Sequence, residues 1–155
     1  MPPQPGDIAQ AALLSGSAAS LLSSLVLAWR GRCDAHDAAA PLNGPSQWVW
    51  GPHAPYANGF SVRHTVVGYA IHHLASIFWA LVFEGVRRPS GSPAQTTATA
   101  FGVAAVASVV DYRLTPQRLQ PGFEKRLTRP SLTLVYAAFA AGLALAAVQS
   151  RRGAR

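Results

Sequence analysis

From His64 to Val86 the chain reads HTVVGYAIHHLASIFWALVFEGV, an apolar run with no proline, lysine or arginine. A hydrocarbon core of ~30 Å asks for about 20 such residues in a helix, so this segment is long enough to cross a bilayer. Backbone groups in lipid must satisfy one another, which makes an α-helix the form expected of it. The run also carries His72 and His73 side by side near its middle and Glu84 near its end. Ionisable groups at such depth are costly and normally face protein or water, so this helix is where function is sought first.

Three more runs, over about 8–29, 95–114 and 131–149, accompany the one at 64–86. Half of the residues are hydrophobic and 12% are charged. That charge content is about half of the roughly 25% usual for a soluble domain, which favours a membrane protein. The expected fold is all-α: an integral membrane four-helix bundle forming a single transmembrane domain over 1–155. Its two long connections, 30–63 and 115–130, lie on one face, because an even number of spans puts both termini on the other. In the first run Ala12, Gly16, Ser20 and Ser24 recur every four positions and predict close helix packing. Thr96, Thr97, Thr99 and Gly102 make the third run weaker, so shielding by other helices is expected there. No lysine or arginine precedes the first run and no small-x-small site follows it, so a cleaved signal peptide is not expected.

The formal net charge is +7, with the basic residues in the connections between apolar runs. That placement suits anionic lipid headgroups, whereas nucleic acid would call for one basic soluble face. Membrane lipids are therefore the expected partners, with a homo-oligomer or another membrane protein as further possibilities and no nucleic acid. The long-connection face holds Arg30, Arg32, Arg63, Arg113, Arg118, Lys125, Arg126 and Arg129, against Arg87, Arg88, Arg151, Arg152 and Arg155 opposite. The positive-inside rule then puts the long connections in the cytoplasm. Cys33 is the only cysteine, so no internal disulfide forms, and Cys33-x-x-His36 offers two ligands at best. No cofactor or metal is expected. A haem or metal held through His72, His73 or His64 is the alternative, although adjacent helical residues diverge by about 100°.

Two groups of residues could carry chemistry. The first sits at the mouth, where His64 opens the second run and Asp111 closes the third. Tyr112, Arg113, Arg30, His53, Trp48 and Trp50 can gather there, either as an interfacial ion-pair network or as a site for an anionic headgroup. The second group lies within the membrane. His72 and His73 are about 12–13 Å below the mouth at 1.5 Å per residue, a depth that the first run reaches near Ser20 and Ser24. Ser76 follows His72 by one helical turn. These residues either hydrogen-bond helices together or form a proton relay or general base with Ser76 as nucleophile. Asp111 as orienting acid is disfavoured by its depth beside His64. Glu84 is expected to pair with Arg87 or Arg88 at the opposite end.

No HExxH, GxSxG, Walker loop, CxxCH or desaturase-type histidine box is present. With its four Ala-rich spans, the aromatic loop NGPSQWVWGPH and the connection DYRLTPQRLQPGFE, the chain resembles uncharacterised small four-span bacterial inner-membrane proteins. The resemblance implies a bacterial inner-membrane location and no activity. The expected function is non-enzymatic: a structural or accessory protein whose mouth binds lipid headgroups or a partner's helices, its small-residue faces free for association. The alternative is a membrane-embedded enzyme or proton-coupled carrier for a small or lipid-like ligand.

Overall fold

The computed structural model describes residues 5–153, with side chains over 6–150. The side chains of Arg151, Arg152 and Arg155, and the N-terminal residues 1–4 from which a cleaved signal peptide is not expected, lie outside that range. All regular structure among the described residues is helical. Four long helices form the bundle: α1 (Pro5–Asp34), then, after two short helices α2 (Ala40–Asn43) and α3 (Gln47–Trp50), α4 (Val67–Val86), α5 (Pro93–Val109) and α6 (Arg129–Gly153). A π-helical turn, Val62–Val66, leads into α4, and another, Val110–Leu114, extends α5. With these turns, all four helices are long and apolar enough to cross a membrane.

Small residues set the packing order. α1 lies between α4 and α6, and α5 packs on α6. Gly16 of the predicted stripe sits against Ile77 and Ala80 of α4, where a Cβ would come within 2.8 Å of the Ile77 Cα. On the α6 side, a Cβ on Gly142 would lie 2.4 Å from the Ala19 Cα. At these two positions the close approach is made within the bundle, to α4 and to α1.

The third run also differs from expectation. α5 buries one stripe, Thr96, Ala100, Val103, Ala104 and Ala107, while Phe101, Val106 and Val109 are exposed. Thr96, Thr97 and Thr99 each donate to the carbonyl four residues back. Hydroxyls satisfied within their own helix need no neighbour to shield them. The start of α5 is fixed by a capping box, in which Ser92 and Gln95 exchange side-chain and backbone hydrogen bonds ahead of Pro93 at the first turn.

α1 runs past its predicted end at Trp29 because Arg30 and Asp34 form an ion pair one turn apart at 2.6 Å. Asp34 also accepts hydrogen bonds from the Thr128 amide (3.1 Å) and from Ser131 (2.5 Å) at the start of α6. The helix stops at His36, whose left-handed φ of 55° lets the Ala35 and Asp37 amides turn back onto the Gly31 carbonyl.

Prolines and glycines cut the two connections into short helical turns, which pack together as a cap. Gln47 Nε2 donates to the Gln120 carbonyl at 2.6 Å, and Arg126 donates to the carbonyls of Pro55 and Ala57 and to Asn58. The cap rests on α4 at Gly68, where a Cβ would lie 2.0 Å from the Leu42 carbonyl oxygen. Asp37 ties the cap to the end of α1 by accepting from the amides of Gly59 (2.5 Å) and Ala39 (2.9 Å). The Gly59 amide, helped by those of Ala39 and Ala40 and by the Arg126 guanidinium, holds the Asp37 carboxyl below its usual value against the opposing effect of burial.

A carboxyl lowered in the folded state stabilises the fold above its unfolded value, and that contribution is lost as pH falls through the folded value. Thermal unfolding in detergent, followed between about pH 5 and pH 3, should therefore show stability falling with acidification. Asp37→Asn should flatten the fall. An equally steep fall in the variant would remove Asp37 from the account.

Candidate functional site

Beneath the cap, where α4 and α5 diverge, the helices enclose a cavity of about 70 Å3. α4 lines it from Ile71 to Trp79, eight residue steps that span about 12 Å of helix axis. Pro45, Trp48 and Phe123 roof it from the cap, and Val135, Tyr136 and Phe139 wall it from α6. Its polar groups come in two pairs. His72 Nε2 lies 2.9 Å from the Ser23 hydroxyl of α1, and the Phe123 ring meets the imidazole edge-on with centroids 5.6 Å apart. Across the cavity Tyr136 donates to Asp111 Oδ2 at 2.6 Å, with the Tyr112 ring edge-on to Tyr136 at 6.2 Å.

The mouth residues named from sequence fall into separate groups. His64 Nδ1 lies 3.2 Å from the Ser46 hydroxyl, which donates to the Asn43 carbonyl, and so fastens α4 to the cap. Arg30 is held by Asp34 and by Ser131 at 2.8 Å, with its guanidinium 5.1 Å above Trp29. Trp50 donates to the Arg63 carbonyl at 2.8 Å and stacks under the Arg63 guanidinium, while His53 is exposed on the cap. Among the described residues His64 and Asp111 share neither a hydrogen bond nor an ion pair.

Asp111 instead shares a cavity with His72 and Ser76. The cavity runs along α4 and admits side chains from different heights, which brings Asp111 to it from the end of α5. The first helix meets His72 through Ser23. The hydroxyls of Ser20 and Ser24 find no hydrogen-bond partner among the described residues, although the Ser20 carbonyl accepts from Ser23 at 3.2 Å. His73 turns away from the cavity and lies against Tyr69, with centroids 5.8 Å apart, which the 100° step between neighbours requires. Ser76 donates to the His72 carbonyl at 2.8 Å. Its hydroxyl is thus engaged with backbone, and no carboxylate orients the His72 ring. Glu84 pairs with Arg87, as the spacing predicted. Among the described residues no three His, Cys, Asp or Glu side chains gather as a metal-ligating group.

A second feature lies on the outer side of Tyr136. Between α5 and α6 runs an apolar groove of about 500 Å3, lined by Phe101, Ala105, Val109 and Leu132. Arg113 and Arg129 stand at its cap end, both exposed, and neither guanidinium has a hydrogen bond, ion pair or ring contact among the described residues. Tyr136 forms part of both walls, so its bond to Asp111 separates the groove from the inner cavity. Neither Tyr136 nor Arg129 is among the site residues expected from sequence, where Arg129 counts only toward the charge of its face, although Tyr136 is the only aromatic residue with a polar handle in its run. The chain matches no protein-family model, no curated protein and no solved structure.

Proposed function

We propose that the protein is a non-enzymatic, multi-pass accessory protein of the bacterial inner membrane that holds an anionic phospholipid in the groove between α5 and α6. The observation that carries this reading is the pair Arg113 and Arg129, two arginines without a protein partner among the described residues at the headgroup end of an apolar groove. Arginine near a membrane surface attracts anionic lipid by about 1 kcal/mol, and its planar fork suits a phosphate oxygen pair. The apolar lining below them suits an acyl chain. Of the other arginines of this face, Arg30 is engaged with Asp34, Arg63 with Trp50 and Arg126 with the cap carbonyls, while the exposed Arg32 and Arg118 do not line the groove. The excess of basic residues on this face supports its placement in the cytoplasm.

Binding of phosphatidylglycerol and phosphatidylcholine to the purified protein, followed by native mass spectrometry, tests the reading. Phosphatidylglycerol should be retained preferentially. Replacing both Arg113 and Arg129 by alanine removes about 2 kcal/mol of attraction, a weakening of roughly thirtyfold. Equal retention of the two lipids, or an unchanged preference in the double variant, would sink the proposal. The rival reading as an enzyme or proton-coupled carrier rests on the His72 and Asp111 cavity, and there Ser76 is bonded to backbone.

A further inference from the structure

The inner cavity has a composition that the lipid groove does not explain. Asp111 is its only acidic side chain, and among the described residues no lysine, arginine or histidine nitrogen lies within 4.0 Å of that carboxylate. Its single hydrogen bond comes from Tyr136 on Oδ2, which leaves Oδ1 available. A carboxylate placed in an apolar bundle calls for a counter-charge, and none of the described residues supplies one. Around it stand Trp48, Trp79, Phe123, Tyr136 and Phe139, drawn from the cap, α4 and α6. Aromatic faces attract a desolvated cation, tryptophan most strongly, and several of them together select a methylated ammonium over a hydrated ion.

Metal cations fit less well. Sodium, magnesium or calcium would need several oxygen ligands, and the wall offers one carboxylate and three hydroxyls already engaged with neighbours, those of Ser23, Ser76 and Tyr136. Size agrees with a small organic ion. A water needs roughly 10–15 Å3 of such space, so about 70 Å3 holds about five water-sized groups. Tetramethylammonium has the same number of heavy atoms.

We infer that this cavity is a binding site for a small organic ammonium ion, with the Asp111 carboxylate as counter-ion and the ring faces of Trp48, Trp79 and Tyr136 as its cage. The site is independent of the lipid groove, since it uses neither Arg113 nor Arg129.

Isothermal titration of the full chain in detergent with tetramethylammonium chloride, against sodium chloride at equal ionic strength, provides the test. One saturable site per chain in the millimolar range is expected, and tert-butanol, equal in heavy atoms but uncharged, should not compete. Asp111→Asn should weaken binding at least tenfold. Tyr136→Phe, which removes only the hydroxyl, should retain it. Should Asp111→Asn fail to fold, Trp79→Leu decides, with several-fold weaker binding expected. No saturable binding, competition by tert-butanol, or unchanged affinity in Asp111→Asn or Trp79→Leu would overturn the assignment.

Discussion

Gly142→Ala will destabilise the bundle by about 2–3 kcal/mol, although the change adds a single methyl group and raises helix propensity. The added Cβ would lie 2.4 Å from the Cα and 2.6 Å from the nitrogen of Ala19, and both are backbone atoms of α1. A side chain could swing aside, but a helix backbone moves only as a unit, so α6 must separate from α1 along its length. Small residues at such crossings let helices approach closely enough for dispersion to hold them in lipid, where water supplies no driving force. Gly102 provides the internal control, since a Cβ there meets nothing within 4 Å. Gly102→Ala should be neutral or gain up to about 1 kcal/mol from helix propensity. Thermal unfolding of both variants in one detergent checks the pair, and equal midpoints would show that the α1–α6 contact does not control stability.

Asn43→Asp will release the cap while leaving the four long helices in place. Asn43 is fully buried, with Nδ2 donating to the carbonyls of Ala57 (2.9 Å) and Gly59 (3.2 Å) and Oδ1 accepting from Thr65 at 2.6 Å. Aspartate has the same shape but turns the double donor into an oxygen facing two carbonyl oxygens. Two hydrogen bonds become repulsive contacts and a buried charge is left without a partner, a loss of about 3–5 kcal/mol. The loss is local, because these bonds join the aromatic connection to itself and to the turn before α4. Limited proteolysis between residues 51 and 61 should accelerate while circular dichroism of the long helices changes little. Unchanged protease resistance would mean that something other than Asn43 organises the cap.

The four spans were legible because length and hydropathy suffice to mark a helix that lipid can accept, and Gly16 announced its own contact through the spacing of its stripe. The cap was not legible. Asn43, Ser46 and Gln47 look like ordinary turn residues, and their partners at Gly59, His64 and Gln120 are joined to them by folding alone. Counting rise along a helix placed His72 at the level of the first helix's serines but carries no azimuth, and the 100° between Ser23 and Ser24 decides which one meets the ring. The same arithmetic grouped Asp111 with His64. It treats the helix ends as lying in one plane, whereas the cavity extends beneath the cap along α4 and receives Asp111 from the side.

The central place of α1 also orders the events of synthesis. Asp34 finds Thr128 and Ser131 94 and 97 residues further along the chain. Ala19, at the heart of the bundle, waits longer still for Gly142. A growing chain therefore carries α1 with its α6 face unfilled until α6 itself has been made. Ser23 on that helix has His72 within reach as soon as α4 enters, so α1 and α4 can pair first, while the α6 wall of the cavity is added afterwards. Whatever shelters α1 in the interval must tolerate a small-residue face and an arginine–aspartate pair at its end.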